Sequence, residues 1–335
     1  MSRTRVTGLA AAGTAAAVVA GRLRRGRARR DRAWDPDPPR ATTGPLVSDE
    51  QWAEDRRYVA AGLRPLDAGG RRLEVIDIGD GEPILYIPLM SHVEVVYARQ
   101  LRHFSRDHRA VLFRREEPTD RPVGIAERVA EALAVLDALG IERAHIVGRG
   151  QASIVAAAFA LAHPERSRSL VMVNVGMRHR VPPVLLTHTI NWALLHLPIE
   201  HRLVKEDSWR RQVVSFLSGP DQRLTRHQLL AVYREIPNFI EVCKYSVSPL
   251  ELDHDLRETA KDLNVPALLL GADEDPRASR EDLEELAAAL PDCRGVHMVG
   301  QGGRFVNYVQ GDEVNRLIRD FYASLSREPE PAASR

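Results

Sequence analysis

The sequence predicts an α/β protein with a mostly parallel, doubly wound sheet and a block of helices inserted late in the chain. Three observations carry this. Short apolar runs at residues 84–87 and 110–113 read as buried strands, and 141–147, 169–174 and 265–270 read as further strands. Helically spaced segments alternate with them, which implies crossover connections and a parallel sheet. Between residues 174 and 265 lie about ninety residues with helical patterning, including 187–197, 209–217 and 226–232, an insertion best read as a cap over the sheet edge.

The chain has 335 residues, 44% hydrophobic and 28% charged, an ordinary composition for a water-soluble body. Its two cysteines, Cys243 and Cys293, form no disulfide framework and no Cys-Xaa-Xaa-Cys pair, so a reducing compartment is expected and no metal or cofactor is implied. The net charge of +1 hides an asymmetry, because residues 1–32 hold nine arginines against the single Asp31. The acidic remainder argues against specific nucleic-acid binding, although the arginines could hold polyanions non-specifically.

Residues 6–20 are uncharged and dominated by alanine, a stretch of 15 that falls short of the ~20 needed to span a bilayer. Seven arginines follow between Arg22 and Arg32, which disfavours translocation and predicts a cytoplasmic body. The leader is then either a weak contact with anionic membrane or a disordered basic segment. Residues 34–49, with Asp35-Pro36-Asp37-Pro38-Pro39, have the composition of a linker.

From Leu63 the periodicity becomes informative. Residues 71–78 alternate around Leu73, Val75 and Ile76, Gly79-Asp80-Gly81-Glu82-Pro83 supplies a turn, and 84–87 is apolar, which predicts a hairpin leading into a buried strand. Residues 124–140 place Val129, Leu133, Val135, Leu136 and Leu139 on one face before Gly140, an amphipathic helix with a C-capping glycine. A last helix is expected over 313–324. The organisation is thus a leader and linker (1–49), a first core part (50–175), a helical cap (176–262), a second core part (263–325) and a disordered tail (326–335).

Gly148-Arg149-Gly150-Gln151-Ala152 stands between the 141–147 strand and an Ala-rich helix. That is the strand–turn–helix layout of a nucleophile elbow, Gly-Xaa-Ser-Xaa-Gly, with glycine in the nucleophile's place. Three further blocks accompany it: Gly79 to Ile87, Leu136-Asp137-Ala138-Leu139-Gly140 running into the elbow, and Asp312-Glu313-Val314-Asn315-Arg316-Leu317-Ile318-Arg319-Asp320-Phe321. On these blocks residues 63–325 resemble the α/β-hydrolase superfamily, in particular its capped esterase, epoxide-hydrolase and haloperoxidase-like branch.

The resemblance implies a nucleophile, a histidine, an acid that orients it, and backbone donors for an oxyanion. The nucleophile position falls on Gly150. The histidine position, in Gly302-Gly303-Arg304-Phe305, falls on Arg304, which cannot act as a base. The acid position, in Ala272-Asp273-Glu274-Asp275-Pro276, falls on Asp275, with Asp273 second. The oxyanion loop is Pro88-Leu89-Met90-Ser91, with a branched residue where glycine is usual.

The expectation is a fold whose catalytic triad is degenerate, acting as a small-molecule- or partner-binding pseudoenzyme. Leu89, Met90, Arg149, Gly150, Gln151 and Arg304 are its expected ligand contacts. Two arginines at a helix N-terminus suit an anionic head with an apolar body, unless Arg304 is spent on an ion pair with Asp275. The alternatives are a lyase, isomerase or cyclase in the same pocket, or a hydrolase with a relocated nucleophile at Ser153 or at Ser91 beside His92. His145 and His163 match positions of structural histidines, and His188, His196, His201 and His227 have no metal-ligand spacing. Trp192, Trp209, Tyr233 and Phe239 are expected to be core between cap helices or to line a pocket.

Overall fold

The computed structural model describes residues 47–177, 206–218, 223–247, 255–273, 275, 278–300 and 302–326. The basic leader, the helix expected over 187–197, Trp192, and the tail from 327 lie outside these residues. Among the described residues no helix is long and apolar enough to cross a membrane.

Eight strands form one sheet: β1 (Arg64–Ala68), β2 (Arg71–Ile78), β3 (Glu82–Tyr86), β4 (His108–Arg114), β5 (Ala144–Arg149), β6 (Ser167–Val173), β7 (Ala267–Ala272) and β8 (Cys293–Val299). Their spatial order is β1-β2-β4-β3-β5-β6-β7-β8. From β4 to β8 every neighbouring pair is parallel, while β1–β2 and β2–β4 are antiparallel. The central strands are apolar from end to end because helices cover both faces; Ala110, Val111, Leu112, Ile146, Leu170 and Leu269 are wholly enclosed.

The expected hairpin between 71–78 and 84–87 is not formed. β4 lies between β2 and β3, and the hairpin is instead β1–β2, whose two-residue turn is Gly69-Gly70, both at positive φ. The cause is at Gly79, where an added Cβ would sit 2.3 Å from the His108 carbonyl oxygen and 2.5 Å from that of Ser105. The backbone there crosses tightly over the start of β4 and delivers β3 to its far side. With Ile84 and Leu85 completely buried, β3 belongs in the centre of the sheet.

Helix α1 (Asp49–Gly62) starts at the end of the stretch taken as linker. The Ser48 hydroxyl caps it by accepting from the Gln51 N–H at 3.1 Å. Its buried face is Trp52, Asp55 and Val59, so the stripe is interrupted by a carboxylate that no apolar pattern reveals. Asp55 is satisfied by the Tyr308 hydroxyl at 2.8 Å, Arg102 Nε at 3.1 Å and Gln51 Nε2 at 3.2 Å.

Helix α2 (Ala98–Phe104) follows the β3 loop, and α3 (Ile125–Ala138) realises the expected amphipathic segment, ending at Gly140 with φ +64°. Helix α4 (Gln151–Ala162) is nearly all enclosed, with Gln151 to Ala157, Phe159 and Ala160 buried; alanine lets it lie close to the sheet. Between β6 and β7 stand α5 (Glu206–Ser218), α6 (Arg223–Glu235) and the short α7 (Phe239–Val242), matching the helices expected at 209–217 and 226–232. Trp209, Tyr233 and Phe239 are buried, and the Tyr233 and Phe239 rings meet edge-on at 5.4 Å, so these aromatics serve as interhelical core.

Helix α8 (Arg280–Ala289), opened by a Ser279–Asp282 capping box, leads into β8. A short α9 (Val306–Val309) precedes α10 (Gly311–Leu325), which buries Val314, Leu317, Ile318, Phe321 and Tyr322. His145 is a core residue, with Nδ1 2.7 Å from the Ser169 hydroxyl and its ring stacked on Tyr322 at 4.0 Å.

Candidate functional site

The site forms at the carboxyl ends of β3, β5, β6 and β7, where loops of a parallel sheet converge. β5 runs into Gly150, which turns at φ +56° and ψ −124° before α4 begins. The sharp turn of an elbow is therefore present, held by the Gly150 N–H donating to the Val173 carbonyl at 2.7 Å and open to glycine without strain. Gly148 is required just before it, since a Cβ there would lie 2.5 Å from the Ala152 carbonyl oxygen and 2.6 Å from Ser153 Cα. The turn has the backbone shape expected of an elbow, with glycine at its tip.

Arg304 occupies the space above that tip. It sits in a tight turn, Gly303–Phe305, preceded by Gly302 at φ +143°, and is 7% exposed. A Cβ on Gly150 would be 3.3 Å from Arg304 Nη2. Arg304 Nη1 lies 3.3 Å from Asp275 Oδ1 and 3.4 Å from Oδ2, both partners buried. Asp275 rather than the exposed Asp273 thus faces the elbow. A guanidinium bound to a carboxylate therefore stands over the turn at Gly150.

Arg149, expected beside the ligand, is buried at the elbow next to Arg304. It is 1% exposed, donates Nη1 to the Arg304 carbonyl, and lies with its guanidinium 4.3 Å from the Phe305 ring centroid. Burial, reinforced by Arg304, pulls its pKa down to about 10. Among the described residues its Nε and Nη2 have no hydrogen-bond partner. Gln151 is 9% exposed at the first position of α4.

On the oxyanion loop, Met90 is buried and Leu89 packs against the main core. The Ser91 N–H is committed to Glu117 Oε1 at 2.9 Å, and His92 adopts φ +68° with its N–H on Glu94. Glu117 belongs to a buried ionic group. It accepts from Arg115 at 2.7 Å and Arg128 at 3.2 Å, while Arg128 also reaches Glu131 at 2.9 Å. Burial alone would raise the Glu117 carboxyl, but the two guanidiniums outweigh it and hold it below its ordinary range. For Glu131 burial wins, and its pKa is raised.

Among the described residues neither Ser153 nor Ser91 is hydrogen-bonded to a histidine. The Ser153 hydroxyl is fully enclosed and bonds to the Val173 backbone at 3.3 Å, packing α4 onto β6. Buried His92 Nδ1 has no partner among the described residues, so Ser91 and His92 share no hydrogen bond through it. Among those residues no group of three His, Cys, Asp or Glu could hold a metal ion.

Two site residues were missed in the sequence. Asn174, at φ +54° just past β6, donates Nδ2 to the Gly303 carbonyl at 2.8 Å and so fixes the Arg304 turn. Tyr97 donates its hydroxyl to the Ile87 carbonyl at 3.0 Å, bracing the carboxyl end of β3 beside the elbow. The signal for Asn174 was available, namely a polar residue ending an apolar strand at the sheet's carboxyl edge.

No protein-family model matches the chain. It is 26% identical over 263 residues to RutD of Azorhizobium caulinodans, provisionally named a carbamate hydrolase, covering 74% of this chain and 94% of that one. It is likewise 26% identical over 277 residues to the 2-hydroxymuconate semialdehyde hydrolase of Pseudomonas putida, covering 78% and 94%. Among solved structures, the meta-cleavage product hydrolase CumD of Pseudomonas fluorescens superposes with a TM-score of 0.64 at 21% identity, over 78% of this chain and 97% of that one.

Proposed function

We propose that this chain, a member of the α/β-hydrolase superfamily, has no serine-hydrolase activity and binds a small molecule at the former catalytic centre. The observation that carries this is Arg304, ion-paired to Asp275, lying over Gly150. Acyl transfer needs an oxygen to attack and a base to take its proton. Gly150 supplies no oxygen, and a guanidinium stays protonated at any physiological pH. Relatives that carry hydrolase names share the framework, but the two side chains that would perform hydrolysis are absent at the matching positions.

A second reading is an enzyme that works without a nucleophile, a lyase, isomerase or cyclase acting by positioning and electrostatics. It is favoured by the buried Arg304–Asp275 pair over the turn at Gly150, charged groups held at the carboxyl edge of a parallel sheet. The charge distribution along the chain supports a cytoplasmic body whose Arg-rich leader touches anionic lipid.

Purified protein is expected to hydrolyse p-nitrophenyl acetate and butyrate no faster than buffer. Gly150→Ser combined with Arg304→His should restore little, because Leu89 leaves the oxyanion loop unsuited to its task and one missing donor costs about a hundredfold or more. Saturable ester turnover by the unaltered protein would overturn the proposal.

A further inference from the structure

Two guanidiniums are buried together at the elbow, Arg149 and Arg304. Among the described residues the carboxylate bound to Arg304 and acting on Arg149 is Asp275. Among the described residues, one carboxylate against two guanidiniums leaves a buried excess of one positive charge. Arg149 remains charged at neutral pH, since burial brings its pKa down only to about 10. A buried charge without a counter-charge is costly, and unsatisfied buried donors add to that cost.

Two further features act at the same place. Arg149 satisfies Nη1 on the Arg304 carbonyl but leaves Nε and Nη2 without a partner among the described residues. Helix α4, 12 residues long, is preceded by Gly150, which has no side chain to cap its first turn. Its amino end adds about half an elementary charge of the same sign. Arg304 Nη2, 3.3 Å from the Cβ position of Gly150, overhangs that amino end.

We infer that this spot receives the head group of a monoanionic carboxylate, held by Arg149 and Arg304 at the amino end of α4. This rests on the reading of the centre as a ligand site. The charge balance selects the ligand. One negative charge neutralises the excess, whereas a dianionic phosphate would bury a surplus of its own. Leu89 and Met90, apolar residues of the adjoining loop, favour an aliphatic body behind the head.

The test is calorimetric titration of the full-length protein, in chloride-free buffer, with octanoate, 1-octanol and inorganic phosphate. Octanoate should bind one to one, at least tenfold more tightly than octanol and than phosphate, the ratio expected for a charged hydrogen bond. Arg304→Gln should weaken octanoate about tenfold or more, and Arg304→Lys should recover part of the loss. Octanoate no tighter than octanol overturns the inference on the unaltered protein alone, whether or not the variants fold. Phosphate binding as tightly as octanoate overturns the single-charge assignment, and octanoate affinity unchanged in folded Arg304→Gln overturns the location. Failure of octanoate to bind protein that is inert to esters removes this inference only, whereas ester turnover removes the non-hydrolytic reading beneath it.

Discussion

Glu117→Ala is expected to cost about 3–5 kcal/mol of folding stability, because removing one partner of a buried ionic group strands the others. Glu117 is the carboxylate shared by Arg115 and Arg128, whose side chains are 2% and 4% exposed. Arg115 would keep only the Ser246 carbonyl at 3.5 Å, and Arg128 would keep Glu131 and the Glu116 carbonyl. The Ser91 N–H would also lose its acceptor, freeing the loop that carries Leu89 and Met90. Urea denaturation measures the loss. Glu117→Gln, which keeps the acceptor for Ser91 but not the charge, should fall between alanine and the unaltered protein. A loss under about 1 kcal/mol for Glu117→Ala would mean that water reaches the group and screens it.

Asp275→Ala is expected to cost about 3 kcal/mol or more, by leaving Arg304 buried beside Arg149 with no counter-charge. The double change Asp275→Leu with Arg304→Met removes both charges and should recover part of that loss. The comparison isolates the pair from the cavity each truncation leaves. A double variant no more stable than Asp275→Ala would show that the two side chains do not depend on each other.

The framework was legible because its strands are apolar over their full length, as in 110–113 and 169–174, and a doubly covered parallel sheet is the arrangement that buries them. The elbow was legible because its glycines meet a backbone constraint: Gly148 lies too close to α4 for a Cβ, and Gly150 turns at positive φ. What escaped depends on distant partners. Helix α1 was not read at all, and its buried Asp55 is explained by Arg102 and Tyr308, 47 and 253 positions away. The hairpin was misplaced because a local turn at Gly79 says nothing of the strand that enters between β2 and β3. The burial of Arg149 depends likewise on the Arg304 carbonyl and the Phe305 ring, over 150 positions away.

The absence of a nucleophile is tested most directly by treating full-length protein with a fluorophosphonate probe and measuring its intact mass. The probe reacts with any serine activated by a base beside an oxyanion site. With Gly150 at the apex, Ser153 sealed against β6 and the Ser91 N–H tied to Glu117, no adduct is expected. An adduct that peptide mapping places on Ser153 or Ser91 would contradict the account and identify a relocated nucleophile.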